Sequence, residues 1–296
     1  MGILLGLATA LSWGSADFCA RFSTRRIGTF RTMLFMQLCG FILLTLLMGI
    51  GLGGGWGHLT DGSGMRPWFW GILAGCLNTS STLALYRSFE IGKMSIVAPV
   101  SASYPVLTML LSVLTGEQLT AVRLAGMALA TSGVVLVAGG ESIPGDVNSI
   151  DDGTQSQKKN LGIGWALYSA LGFGIMFWLL GIRIVPVVGA VQTVWLVRLT
   201  SVVGTALVML VAGKPMTLPA KQDVHWILGI GVLDTGAYVL NNWGMRLEQI
   251  SVVSVLASLY GAVTVGLAAL VLKERVSKLQ WLGIAAIFLG IILISR

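Results

Sequence analysis

Residues 94–117 read MSIVAPVSASYPVLTMLLSVLTGE, and residues 250–274 read ISVVSVLASLYGAVTVGLAALVLKE. Adding 156 to the first numbering carries Ser95 to Ser251, Val97 to Val253, Tyr104 to Tyr260 and Thr108 to Thr264; adding 157 carries Glu117 to Glu274. One residue inserted late in the second copy accounts for the change. Each run is apolar for about 20 residues, the length that crosses roughly 30 Å of hydrocarbon at about 1.5 Å per residue.

Working outward, the same offsets carry Gly6 to Gly162, Ala10-Leu11 to Ala166-Leu167, Gly75 to Gly231, Gly126 to Gly283 and Gly133 to Gly290. Apolar runs and their charged breaks predict spans near 2–20, 31–52, 68–86, 94–114, 120–138, 161–182, 189–212, 224–243, 250–272 and 277–294. The longest polar stretch, from Gly139 to Asn160, divides them into two sets of five. The expectation is an all-α integral membrane protein: residues 1–138 form one five-helix repeat, 139–160 a polar linker and 161–296 the second repeat. Because five is odd, the copies must enter the membrane opposite ways up, the inverted-repeat plan of many secondary transporters.

Composition excludes the soluble alternatives. The chain is 55% hydrophobic and 10% charged, against about 25% charged in a soluble domain. The net charge of +7 comes from basic residues between apolar runs, where they set orientation and do not form a nucleic-acid surface. Arg21, Arg25, Arg26, Arg31, Arg87, Lys93, Lys158, Lys159, Lys214, Lys221, Lys273, Arg275 and Lys278 follow odd-numbered spans. Only Arg66, Arg123, Arg183, Arg246 and Arg296 lie on the other side, so both termini are expected outside. Cys19, Cys39 and Cys76 all lie within apolar runs and make neither a disulfide framework nor a metal site. No cofactor is expected.

Several motifs resemble the drug/metabolite transporter superfamily, in its EamA-type ten-helix branch. They are Gly6 with Ala10-Leu11-Ser12-Trp13-Gly14, Ser101-Ala102-Ser103-Tyr104-Pro105, Gly116-Glu117 with Gly126 and Gly133, and Lys273-Glu274-Arg275 with Gly283 and Gly290. The second copy departs from the first: Ser169-Ala170 stand where Trp13-Gly14 would recur, and Gly261 replaces Pro105. The resemblance implies a gradient-coupled carrier or exchanger of amino acids, amines, nucleotide sugars or other metabolites. Many bacterial members are exporters, so an inner (plasma) membrane location is expected.

Polar side chains inside spans are costly unless they face a cavity or a partner, which makes them the candidate site. Asn78, Thr82 and Tyr86 recur at i, i+4 and i+8; Asp234, Tyr238 and Asn241 recur at i, i+4 and i+7. Asn78 and Asp234 are repeat mates at the offset of 156, and Trp13 shares a helix face with Asp17. A local offset of 161 aligns Ile27-Gly28 with Val188-Gly189 and Thr32 with Thr193, and sets Gln37 opposite Arg198. A central Arg or Asp costs about 2.5–3.5 kcal/mol to insert, so Arg198 and Asp234 call for pairing, a wet cavity or both. The expected substrate lining is Trp13, Asn78, Thr82, Tyr86, Ser101, Tyr104, Tyr168, Arg198, Asp234, Tyr238, Asn241, Ser258 and Tyr260. Asp234 and Asp17 are the candidates for proton coupling, since a carboxylate whose pairing with Arg changes between states binds and releases a proton.

The reading is therefore secondary-active, alternating-access transport of a small organic metabolite, an amino acid or amine, in the export direction. The rivals are a facilitative exchanger or importer of a nucleotide sugar or quaternary amine and, more remotely, a membrane-embedded enzyme. The absence of HExxH, GxSxG and P-loop motifs disfavours the enzyme. The glycine pairs Gly126/Gly133 and Gly283/Gly290, each seven apart, permit close helix contact either inside the chain or across a homodimer.

Overall fold

Backbone groups in hydrocarbon find no water, so each apolar run must close its own hydrogen bonds as a helix. The computed structural model describes residues 1–62, 64–92, 94–139, 153–272, 277–294 and 296, and every regular element among them is helical. The first half comprises α1 (Gly2–Ile27), α2 (Thr29–Gly49), α3 (Arg66–Ile91), the broken pair α4 (Met94–Ser101) and α5 (Pro105–Leu114), and α6 (Ala121–Gly139). The second begins with α7 (Gly153–Leu179), which runs through a π-helical turn at Leu180–Ile184 into α8 (Val185–Val188). It continues with α9 (Ala190–Val211), α10 (Lys221–Leu247), the broken pair α11 (Ile250–Ser258) and α12 (Tyr260–Leu272), and α13 (Lys278–Ile294). The broken pairs counted as one span each, these make ten spans.

Among the described residues, five stretches are long and apolar enough on their own to cross a membrane: Gly2–Ile27, Thr29–Gly49, Gly162–Val188, Ala190–Val211 and Ile250–Leu267. Leu4, Leu11, Leu46, Leu207 and Phe288 face outward, while Gln37, Asn78, Arg198 and Asn241 are buried. That distribution is the reverse of a water-soluble fold.

The halves interleave. α1 packs along α10 and α3 along α7, while α2 pairs with α9 and α6 with α13. Exchanging the halves converts the first of these contacts into the second and returns each of the others to itself. In the α6–α13 seam, a Cβ on Gly126 would lie 2.9 Å from the Gly290 carbonyl oxygen, and one on Gly133 2.6 Å from that of Gly283. These glycine faces therefore meet within one chain, and the homodimer seam considered from the sequence is replaced by internal packing.

Two connections carry the repeat into backbone geometry. α1 and α2 are joined by Gly28 alone (φ 86°, ψ 160°), and α8 and α9 by Gly189 alone (φ 99°, ψ 156°). Only glycine adopts that region readily. The next turn then starts alike, with Thr32 N–H donating to the Gly28 carbonyl (3.2 Å) and Thr193 N–H to that of Gly189 (3.1 Å).

On the face where α5 ends and α11 begins, polar groups tie the halves together. Glu117 accepts from Ser251 Oγ (2.8 Å) and Ser251 N–H (3.3 Å), capping α11 from the opposite half. Arg123 bridges Glu248 (3.0 Å) and donates to Gln249 Oε1 (2.7 Å), whose Nε2 reaches the Gln118 carbonyl (2.6 Å).

Three features differ from the sequence reading. The fourth and ninth spans are not continuous: Pro105 has no N–H to donate, so residues 102–104 turn between α4 and α5, and Leu259 interrupts α11 and α12 at the equivalent place. The helix of the sixth span starts at Gly153, inside the stretch expected to be linker; its apolar part begins at Gly162, near the expected 161, and runs to Val188 instead of 182. A π-helical turn just before Pro186 accommodates a ring that would collide with the carbonyl four residues back. Residues 140–152 of the expected linker and the Lys273-Glu274-Arg275 motif lie outside the described residues.

Candidate functional site

The interleaved helices leave a small cavity lined by Trp13, Asp17, Thr82, Leu85, Tyr86, Tyr104, Phe173, Phe177, Asp234, Tyr238 and Tyr260. These residues come from the first, third, fourth, sixth, eighth and ninth spans, so both halves build it. The two span breaks deliver Tyr104, the last residue of the first interruption, and Tyr260, the first residue after the second.

Close backbone approach fixes those tyrosines. A Cβ on Gly14 would lie 2.9 Å from the Tyr260 carbonyl oxygen, and one on Gly174 3.0 Å from that of Tyr104. A threonine one turn on completes each contact: Thr264 Oγ1 donates to the Gly14 carbonyl (3.2 Å) and Thr108 Oγ1 to that of Gly174 (3.0 Å). The same clasp is thus used twice, with the halves exchanged.

The walls are aromatic. Trp13 meets Tyr238 edge-on at 5.1 Å between centroids and Phe177 at 5.4 Å; Tyr104 lies 4.8 Å from Phe177, and Tyr260 6.2 Å from Trp13. Ring faces attract a cation placed over them. Two carboxylates face this space. Asp234 is held by Arg198 Nη2 at 2.7 Å, and Arg198 Nη1 also donates to Gln37 Oε1 at 2.6 Å. The guanidinium lies 5.1 Å from the Tyr238 ring centre and is fully buried. Asp17, one turn beyond Trp13 on α1, is 7% exposed and faces the cavity, not the interface beside Arg21. With Asp234 balanced by Arg198, Asp17 is the carboxyl group of the lining that has no ion-pair partner among the described residues.

Behind the walls runs a polar network. Tyr238 Oη donates to Asn78 Oδ1 (2.5 Å), Asn78 Nδ2 to Ser201 Oγ (3.1 Å), and Thr79 Oγ1 to the same serine (2.9 Å). Tyr104 Oη donates to the Ser254 carbonyl (3.1 Å).

The sequence pattern of the EamA-like transporter family matches residues 1–139 and 160–296. The chain belongs to the EamA-like transporter family. It is a membrane transporter of small molecules. A solved structure titled only "Crystal structure of protein" shares the fold, with a TM-score of 0.75 and 18% identity over 99% of this chain and 95% of that one. No curated protein matches the chain.

In this EamA-like transporter the cavity gathers Trp13, Thr82, Tyr86, Tyr104, Asp234, Tyr238 and Tyr260 of the expected lining, together with Asp17. Six expected residues stand elsewhere. Asn78 and Arg198 support the wall from behind through Tyr238 and Asp234. Ser101 turns its hydroxyl to the Ala166 carbonyl of α7 (3.3 Å), and Ser258 to the Val255 carbonyl of its own helix (2.7 Å), the latter as helical serines commonly do. Asn241 keeps the Asp234 face but lies about 10 Å further along α10, where its Nδ2 meets Met245 Sδ at 3.7 Å. Tyr168 is 52% exposed on the outside of α7. It lies nine residues from Phe177, or about two and a half turns, so the two point to opposite sides of the helix.

The residues missed were Leu85, Phe173 and Phe177. Two signals pointed to the phenylalanines. Their spacing of four puts both on one face, and adding 156 to Asp17 gives Phe173. Preference for a tyrosine's hydroxyl selected Tyr168 instead.

Proposed function

We propose that this EamA-like transporter is a secondary-active carrier that moves a small organic amine across the membrane by alternating access, in the export direction. The observation that carries the reading is the aromatic chamber between the halves, with Asp17 facing it and Asp234 balanced by Arg198. Rings and an excess carboxylate attract an ammonium group. An amino acid's carboxylate finds less support, because Arg198 is occupied by Asp234 and Gln37 and is not part of the lining.

The exchange of contacts between halves supports an inverted pair of repeats, for which rocking about a central site is the expected motion. Proton coupling falls on Asp17 first, as the carboxylate presented to the chamber, and on Asp234 only in a state where Arg198 releases it. The reading places the protein in a bacterial inner membrane and assigns it no enzymatic activity.

Purified protein in liposomes tests this. Saturable accumulation of an amine under an imposed pH gradient, with counterflow when the gradient is absent, is the expected result. Flux that rises linearly with concentration points to a channel. Chemical turnover without translocation points to an enzyme.

A further inference from the structure

The chamber's tyrosine hydroxyls are not equivalent. Tyr104 Oη donates to the Ser254 carbonyl and Tyr238 Oη to Asn78 Oδ1. Tyr260, the repeat mate of Tyr104, is only 4% exposed, and its hydroxyl has no hydrogen-bond partner among the described residues. Yet its ring lines the cavity beside Trp13, on the helix face that also carries Asp17. Its backbone is clamped to α1 through Gly14 and Thr264, so the ring is held there by the fold.

A buried hydroxyl without a partner carries its full desolvation penalty. A chamber that keeps one, while tying up its symmetry mate, holds a donor ready for something that enters. We infer that Tyr260 is the specificity-determining residue of the site: its hydroxyl donates to an oxygen of the substrate. The substrate class is then an ammonium compound with a hydroxyl or carbonyl oxygen a few bonds from the nitrogen. The ammonium lies against Asp17 and the rings, and the oxygen lies at Tyr260. This inference rests on the amine reading and narrows it. A site built around a hydrogen bond strongly rejects the analogue that lacks it, because the protein group is left unpaired.

The test uses two pairs matched in shape and differing in the oxygen: choline against propyltrimethylammonium, and ethanolamine against propylamine. Affinities are measured by calorimetry on the full purified chain. Wild type should bind the oxygen-bearing member of at least one pair about ten- to a hundredfold more tightly. In Tyr260→Phe that ratio should fall to about one through loss of affinity for the oxygen-bearing compound, while its partner binds as before. The ligand-free variant should also melt no lower than wild type, since it loses a hydroxyl that bonds to nothing, which separates a binding role from a structural one. Tyr168→Phe, on the exposed outer side of α7, should keep the wild-type ratio. Amine binding with no oxygen preference, or a preference that survives Tyr260→Phe, overturns the inference and leaves the amine reading intact. Failure of wild type to bind any of the four compounds overturns both.

Discussion

Gln37 Oε1 accepts a 2.6 Å hydrogen bond from Arg198 Nη1, joining two residues that occupy equivalent places in the two halves. One copy carries the charge and the other its neutral partner, both fully buried. The guanidinium's second anchor is Asp234 at 2.7 Å, so Arg198 links α2, α9 and α10.

Removing one member of that pair should therefore cost more than removing both. Arg198→Ala leaves the Asp234 carboxylate uncompensated and should destabilise the protein by about 3–5 kcal/mol. Arg198→Met combined with Asp234→Leu should recover much of that loss. Thermal unfolding in detergent reads both; equal losses in the single and double variants would count against the pair as the source.

Coupling separates the two acids. Asp17→Asn should weaken amine binding, since the ammonium loses its carboxylate, yet at saturating amine it should retain counterflow while losing accumulation driven by a pH gradient. Asp234→Asn, still able to accept from Arg198, should keep at least part of that accumulation. If Asp17→Asn concentrates substrate like wild type while Asp234→Asn does not, coupling belongs to Asp234.

Gly14 has no room for a side chain. A Cβ there would sit 2.9 Å from the Tyr260 carbonyl oxygen, and overpacking of this kind costs about 1–3 kcal/mol. Gly14→Ala should lower the melting temperature and weaken amine binding together, because Tyr260 moves with its backbone. Unchanged affinity in a destabilised Gly14→Ala protein would detach Tyr260's position from the clasp.

Glu117 fastens one face of the protein by capping α11 across the halves. Glu117→Ala should remove roughly 1 kcal/mol of capping and open that face more often. A cysteine replacing Ser112, which is buried beside Glu117, should then react with a maleimide roughly fivefold faster than in the Glu117 background. Equal rates would mean that the cap does not hold the face shut.

Charge asymmetry predicts that both termini lie outside. A cysteine appended after Arg296 should react with an impermeant maleimide in intact cells. Reaction only after lysis would reverse the orientation.

Much of the fold was legible because duplication is written twice. The offset of 161 set Gln37 opposite Arg198, and the two side chains meet. The six spans that line the chamber were readable from where polar and aromatic residues recur. What stayed hidden depended on depth and direction. Asn78 carries the periodicity of a lining residue, yet Tyr238 stands in front of it. Phe173 and Phe177 carry no polar atom, so a search for costly polar groups passed over them. The interruption at Leu259 is harder still to read, because Gly261 occupies the place of Pro105 and that span has no proline to announce it.

The single-residue joints at Gly28 and Gly189 also limit how the molecule can change shape. A connector of one residue has no slack, so the ends of α1 and α2 stay within several ångströms of each other whatever the rest does. The same holds for α8 and α9. Counting spans puts these joints at opposite surfaces, so each V of helices is closed at one surface and free to splay only at the other. Any passage for substrate must then run past the open ends of these wedges and never through their apices. The two surfaces are thereby given different places at which to part.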